Sequence, residues 1–259
     1  MGIKKIYQKV VAPRFTGASA NSNIVRVATA AELQAAVTAQ KANQIIEVEP
    51  GTYTLTDIIT VPLAATGGVL KALGPVSITG SASKDEAFLI NPAVATASFE
   101  YTFQGFDDVK GGANKIGLKI ANTTITKKVL VYLKQANFHD NGTGVAISAV
   151  NTDGSNAIRI YGDGPAEVDT ISFTTKDGGD RLYLTGFNID TEVAIGTADC
   201  TFEIKLIGCQ IPVTKITGGH ANNIGNFINC WVMSNNAAIL PVAATDAPGA
   251  LAPTIYPAS

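Results

Sequence analysis

Hydrophobic and polar residues alternate along most of the chain, in short segments that end at a glycine or an asparagine. The segments are VLKALGPVSI, YTFQGFDDV, VYLKQANFHD, IRIYGDGPAEV, LYLTGFNID, IKLIGCQI and NFINCWVM. Such alternation is typical of β-strands with one buried face. The pattern therefore predicts a long series of strands from about residue 69 onward.

The segments recur at an interval that favours a solenoid. Aligned on their turn residues they lie 21 to 32 residues apart; these are Gly74, Gly105, Asn137, Gly162, Gly186, Gly208 and Asn229. Glycine and asparagine adopt a left-handed backbone most readily. Turns in an antiparallel sandwich recur about every 8–12 residues, so the longer interval indicates stacked coils. The residues after the turns are expected to point inward and stack: Phe106, Phe138, Phe187, Cys209 and Cys230.

One short helix is predicted ahead of the strands. Thr29 and Glu32 match the S/T-x-x-E capping box, and Leu33, Ala36 and Val37 mark one apolar face. A helix near residues 29–40 would cover the open end of a solenoid, which otherwise exposes apolar side chains and unpaired strand edges.

The stretch VATAAELQAAVTAQKANQIIEVEPGTYTL resembles the beginning of right-handed parallel β-helix proteins of the pectate-lyase-like group. The resemblance covers about residues 25–235. It implies an all-β, single-stranded right-handed parallel β-helix with a short N-terminal capping helix and extended N- and C-terminal arms. The expected divisions are a basic arm over 1–23, the β-helix over 24–236 and a Pro/Ala-rich tail over 237–259. This fold hosts lyases, hydrolases, adhesins and phage proteins, so it does not define a function by itself.

Charged residues are few and unevenly distributed. They make up 15% of the chain against 46% hydrophobic residues, so we expect part of the surface to be covered by copies of the chain or by a partner. Five bases and no acid precede Glu32, which predicts a basic arm on an acidic body. A net charge of -2 argues against nucleic acid as the partner. The sequence also predicts no secretory signal and no membrane span, and three cysteines are too few for a disulfide scaffold.

The sequence gives only weak evidence for catalytic residues. NTDG at 151–154 resembles the Asn-Thr-Asp stretch of polygalacturonase-like hydrolases, whose chemistry needs several carboxyl groups. The paired acids Asp107 and Asp108 precede this stretch instead of following it, and turn formation explains NTDG better. Neither His139 nor His220 has a second ligand at metal spacing in the sequence. We therefore predict no catalytic residue, no cofactor and no metal.

The alternative function is a carbohydrate-active or glycan-binding β-helix protein of the tailspike or polygalacturonase-like kind. Its candidate residues are Asp153, Asp177, Asp180 and Arg181, all expected on the outer face. Surface ion pairs explain the same residues. A surface adhesin is a third possibility, which the lack of a signal sequence disfavours.

The function predicted first is that of a structural protein of a bacteriophage virion, most simply a capsid decoration (cement) protein and otherwise a short spike. It would not be an enzyme. β-Helix proteins of virions are commonly trimers, so the resemblance implies a homotrimer, assembled in the host cytoplasm. The expected partner is the major capsid protein or another virion protein, with no nucleic acid and no membrane. The partner-binding residues would lie in the arm, which would become ordered on binding: Lys4, Lys5, Lys9 and Arg14 for charge, and Ile3, Ile6, Tyr7 and Phe15 for apolar contact.

Overall fold

The alternating segments form parallel strands that stack as a β-solenoid of about six turns in the computed structural model. The structure describes residues 23–91, 98–112, 116–122, 128–139, 146–151, 157–174, 179–195, 202–211, 216–218, 224–228 and 231–232. Its elements, in chain order, are β1 (Ile24–Val27), α1 (Ala30–Thr38), β2 (Ile45–Val48), β3 (Gly51–Thr54), β4 (Ile59–Val61), a 3-10 turn (Leu63–Ala65), β5 (Gly68–Ala72), β6 (Val76–Thr79), β7 (Glu86–Ile90), β8 (Phe99–Gln104), β9 (Asp108–Lys110), β10 (Ile116–Asn122), β11 (Val129–Lys134), β12 (Ile147–Asn151), β13 (Ile158–Thr174), β14 (Asp180–Ile195), β15 (Phe202–Ile207), β16 (Gln210–Ile211), β17 (Ile216–Gly218), β18 (Ile224–Ile228) and β19 (Trp231–Val232).

The strands form three faces, which we number in chain order. Face 1 contains β1, β2, β5, β8, β11, the first parts of β13 and β14, β15 and β18. Face 2 contains β3, β6, β9, residues 137–139, the middle parts of β13 and β14, β16 and β19. Face 3 contains β4, β7, β10, β12, the last parts of β13 and β14, and β17. Every strand pair in the described chain is parallel, so the predicted solenoid is confirmed and the antiparallel sandwich is excluded.

The N-terminal end is covered by the predicted helix. Thr29 is its N-cap and accepts a hydrogen bond from the backbone N–H of Glu32 at 3.2 Å, while the Glu32 carboxylate accepts one from the N–H of Ala28 at 2.9 Å. Leu33 and Val37 are fully buried against the first turn. The capping box and the capping helix are therefore confirmed. Among the described residues, no helix has the length and apolar character that crossing a membrane requires.

The turn between faces 1 and 2 uses a column of left-handed residues, two of which differ from the prediction. The column consists of Gly105, Gln135, Gly164, Gly186 and Gly208, each with a positive φ. Gly105, Gly186 and Gly208 were correctly predicted, whereas the predicted Gly74 has no positive φ and Asn229 lies outside the described residues. The other predicted members in this part of the chain, Asn137 and Gly162, are wrong. The left-handed residue lies two positions away in each case: it is Gln135 instead of Asn137, and Gly164 instead of Gly162.

The interior is filled by the inward residues of all three faces. The predicted inward side chains Phe106, Phe138, Phe187 and Cys209 are all buried, and Cys209 is a free thiol; Cys230 lies outside the described residues. The rings of Phe88, Tyr101 and Phe138 meet the ring of Phe103 edge to face at centroid distances of 5.3, 5.2 and 5.6 Å. With the interior packed in this way, candidate functional groups are found on the outer faces.

Candidate functional site

Most of the residues predicted for binding or chemistry lie outside the described part of the chain. This applies to all eight partner-binding residues of the arm, Ile3, Lys4, Lys5, Ile6, Tyr7, Lys9, Arg14 and Phe15, and to Asp153 and Asp177 of the alternative site. Asp180 and Arg181 are the two candidates that the structure describes.

The expectation that Asp180 lies on the outer face is wrong. Its side chain is fully buried at the start of β14. Its Oδ1 atom accepts two hydrogen bonds, one from the backbone N–H of Ile158 and one from the side-chain amide of Asn151 at 3.2 Å. Asp180 therefore joins the end of β12 to the start of β13, because a buried strand end needs an acceptor for its first N–H. In this position its carboxylate serves as a hydrogen-bond acceptor inside the protein.

Arg181 does lie on the outer surface, at the edge of a column of tyrosines on face 1. Tyr132, Tyr161 and Tyr183 occupy the same register on three successive turns and form what we call the tyrosine column. The Tyr132 and Tyr161 rings are stacked at 5.3 Å with 17° between their planes, and the Tyr183 ring meets Tyr161 edge to face at 5.5 Å. The Arg181 guanidinium lies 5.9 Å from the centre of the Tyr183 ring. Parallel pairing in register is what places one tyrosine above the next.

The charged groups beside the tyrosine column are mostly paired. Arg181 forms an ion pair with Glu203 at 3.2 Å. Partial burial raises the pKa of Tyr183, and the hydrogen bond and charge of Glu203 raise it further. Arg159 occupies the register position beside Arg181, and its buried Nε has no hydrogen-bond partner among the described residues. The column is thus an aromatic strip with the guanidinium groups of Arg159 and Arg181 in neighbouring register positions at one edge.

A second group of polar side chains lies on face 2, and we call it the histidine cluster. It consists of His139, Glu167, Asp169, Asn188 and Asp190. Phe138, Val168 and Ile189 pair in register on three successive turns, so the residues that follow them stand one above another on the outside. A ligand atom from each of His139, Asp169 and Asp190 lies within 4.8 Å of the other two.

Both imidazole nitrogens of His139 face a carboxylate. Nδ1 lies 3.4 Å from Oδ1 of Asp169, and Nε2 lies 3.3 Å from Oε2 of Glu167. The Asn188 amide donates to Oδ1 of Asp190 at 2.7 Å and to Oε1 of Glu167 at 3.3 Å. Partial burial raises the pKa of Asp190, and the negative charges of Glu167 and Asp169 raise it further. The cluster therefore holds three carboxyl groups around one imidazole and one amide.

The sequence places no second ligand at metal spacing from His139, but the fold brings Asp169 and Asp190 next to it from other turns. His139 and Asp169 belong to consecutive turns, but the prediction anchored those turns at Asn137 and Gly162, which puts Gly164 opposite His139. In the structure, the register of β13 shifts between Asp163 and Ala166, and this irregularity moves Asp169 into place above His139. Anchoring the register on Gln135 and Gly164 would still have put Val168 opposite His139, so the cluster is found only when the extra residue in β13 between Asp163 and Val168 is counted.

No family model, curated protein or solved structure matches this chain. The resemblance stated above is supported at the level of the parallel β-solenoid and no further.

Proposed function

We propose that the protein is a structural component of a bacteriophage virion, a capsid decoration protein that attaches to the shell through its terminal arms. It would assemble as a homotrimer through face 1. The observation that carries the proposal is the tyrosine column, a continuous aromatic strip on a parallel sheet whose acidic neighbour Glu203 is paired with Arg181. Tyrosine is enriched in the centre of protein–protein interfaces, and unpaired charge is depleted there.

Three further features support a structural role. Charged residues make up only 15% of the chain, which fits a surface that is partly covered in the assembly. Asp180, the described acid of the enzyme alternative, is buried and fully engaged in holding two strand ends. Five bases and no acid precede Glu32, and this local excess of positive charge suits contact with an acidic shell.

Two variants on different faces test self-association. Tyr161→Lys places a charge in the middle of the tyrosine column, and Ser148→Lys places the same charge on the outer side of face 3. We expect light scattering to give a trimer for the wild type and for Ser148→Lys, and a lower mass for Tyr161→Lys with unchanged circular dichroism. A wild-type monomer at all concentrations would contradict the proposed assembly.

Attachment is tested separately by deleting residues 1–22. The truncated protein should keep its fold and its trimer but should no longer co-sediment with capsid shells that lack the protein, because the basic and apolar arm residues are gone. Full co-sedimentation of the truncated protein would contradict attachment through this arm.

A glycan-binding protein is the second candidate, favoured by the same tyrosine column and by Arg159. Aromatic side chains contact the apolar parts of sugars, and Arg159 and Arg181 place two guanidinium groups beside the column that could pair with acidic sugars. Binding to a polysaccharide panel that is lost in both Tyr161→Ala and Arg159→Gln would favour this candidate over the virion protein.

A further inference from the structure

We propose that the histidine cluster on face 2 is a binding site for a divalent transition-metal ion of the zinc type. The ligands would be Nδ1 of His139 and one carboxylate oxygen each from Asp169 and Asp190. This site is independent of the decoration role, and either proposal can fail without the other.

The spacing of the ligand atoms fits the ion. Zinc bonds to imidazole nitrogen and carboxylate oxygen are about 2.0–2.2 Å long, so two ligand atoms in a tetrahedral site lie roughly 3.3–3.6 Å apart. Nδ1 of His139 and Oδ1 of Asp169 are 3.4 Å apart, and the ligand atoms of all three residues lie within 4.8 Å of one another. Asp190 would supply the third ligand atom, and the fourth position would be left to water.

The groups around the ligands form the outer shell that such sites use. Nε2 of His139 faces Glu167 at 3.3 Å, so a proton on Nε2 would be donated to that carboxylate and the lone pair of Nδ1 would be directed at the metal. Asn188 donates to both Asp190 and Glu167. It therefore holds the ligand Asp190 next to the acid that faces His139. The buried Oδ1 of Asn188 has no hydrogen-bond partner among the described residues, which leaves an acceptor for a metal-bound water.

The alternative explanation is an ion pair in which a protonated His139 lies between Glu167 and Asp169. That arrangement explains two of the three carboxyl groups. It does not explain why Asp190 is held by Asn188 next to two other acids, when like charges at this distance repel. A divalent cation would neutralise the excess charge. The mixed nitrogen and oxygen ligand set favours zinc, cobalt or nickel over calcium and magnesium, which prefer oxygen alone.

The ion would also join three successive turns of the solenoid, since His139, Asp169 and Asp190 each come from a different turn. A ligand that binds the folded chain alone stabilises it in proportion to the logarithm of its concentration above Kd. We therefore expect zinc to raise the melting temperature of the protein.

The experiment uses the full chain without a histidine tag, freed of metal with a chelator and titrated with ZnCl2 in a calorimeter and in thermal melts. The wild type should bind one equivalent and show a higher melting temperature. His139→Gln and Asp190→Asn should lose both effects. Glu167→Gln keeps all three ligands and should weaken binding about 10–100-fold. Asp163→Asn removes an exposed carboxylate outside the cluster and should bind like the wild type.

Several results would overturn the proposal. These are no zinc binding by the wild type, equal binding by His139→Gln, or equal stabilisation by calcium. Cobalt substitution separates this site from the cysteines, because a site built from His139 and carboxylates gives no thiolate-to-cobalt charge-transfer band. If His139→Gln does not fold, the comparison of Asp190→Asn with Asp163→Asn decides the question in its place.

Discussion

Replacing Asp180 by alanine should destabilise the solenoid, although the substitution changes no exposed side chain. The substitution removes a fully buried carboxylate that accepts hydrogen bonds from the N–H of Ile158 and the side-chain amide of Asn151. Each buried donor left without an acceptor costs about 1–3 kcal/mol. Because relaxation and water entry offset part of this cost, we expect the free energy of unfolding to fall by about 2–5 kcal/mol.

Asp180→Asn should be milder, because the amide oxygen can still accept from Ile158. The hydrogen bonds would lose their charged acceptor, which is worth about 1 kcal/mol for each bond. The expected loss is therefore about 1–2 kcal/mol. Asp163→Ala is the matched control, since it deletes the same group at an exposed position of β13 and should change stability by less than about 0.5 kcal/mol.

Urea unfolding followed by circular dichroism measures all three variants against the wild type. The reasoning fails if Asp180→Ala unfolds at the same urea concentration as Asp163→Ala. The same variants bear on the hydrolase alternative: if Asp180→Asn abolished release of reducing sugar from a polysaccharide while leaving stability intact, Asp180 would be catalytic and its structural role would be refuted.

Two further predictions concern the core. Phe103→Leu should lower the free energy of unfolding by about 1–3 kcal/mol more than Phe99→Leu. Both side chains are buried in β8, but of the two only Phe103 has three edge-to-face ring contacts. Equal losses in urea melts would contradict this prediction. Burial raises the pKa of Tyr101 far above its ordinary value of 10.0, and its hydroxyl donates to Gln40 at 2.7 Å. The contribution of Tyr101 to stability should therefore be fully present below the pKa of tyrosine in the unfolded chain and should decline as pH rises above about 10. The decline should be shallower in Tyr101→Phe, and equal slopes in the two proteins would exclude Tyr101 as a cause.

The sequence predicted the solenoid because the rule that builds it is local and repeats. Each turn must alternate apolar and polar residues, and each bend needs a residue that tolerates a positive φ, so Gly105, Gly186 and Gly208 could be recognised one by one. The helix was equally accessible, because the capping box formed by Thr29 and Glu32 involves residues that are neighbours in the chain.

The polar groups were not predictable in the same way, because their environment depends on register between turns. A shift of one residue moves a side chain from the core to the surface. Asp180 is the exception: it was expected outside but lies inside because it shares the inward positions of β14 with Leu182 and Leu184, an alternation that is visible within the strand itself. His139 and Asp169 meet only because β13 is irregular near Gly164, and no local pattern signals an irregularity of that kind.

This difference between bends and contacts also distinguishes the two candidate surfaces of the described solenoid. The regular part of face 1 repeats one residue type from turn to turn and so builds an extended surface, the tyrosine column. The irregular part of face 2 brings unlike side chains together and so builds a compact cluster around His139. An extended aromatic strip suits contact with a flat partner, whereas a compact cluster suits a single ion. The two proposals therefore assign assembly to face 1 and ion binding to face 2, and a substitution in one cluster should leave the property proposed for the other unchanged.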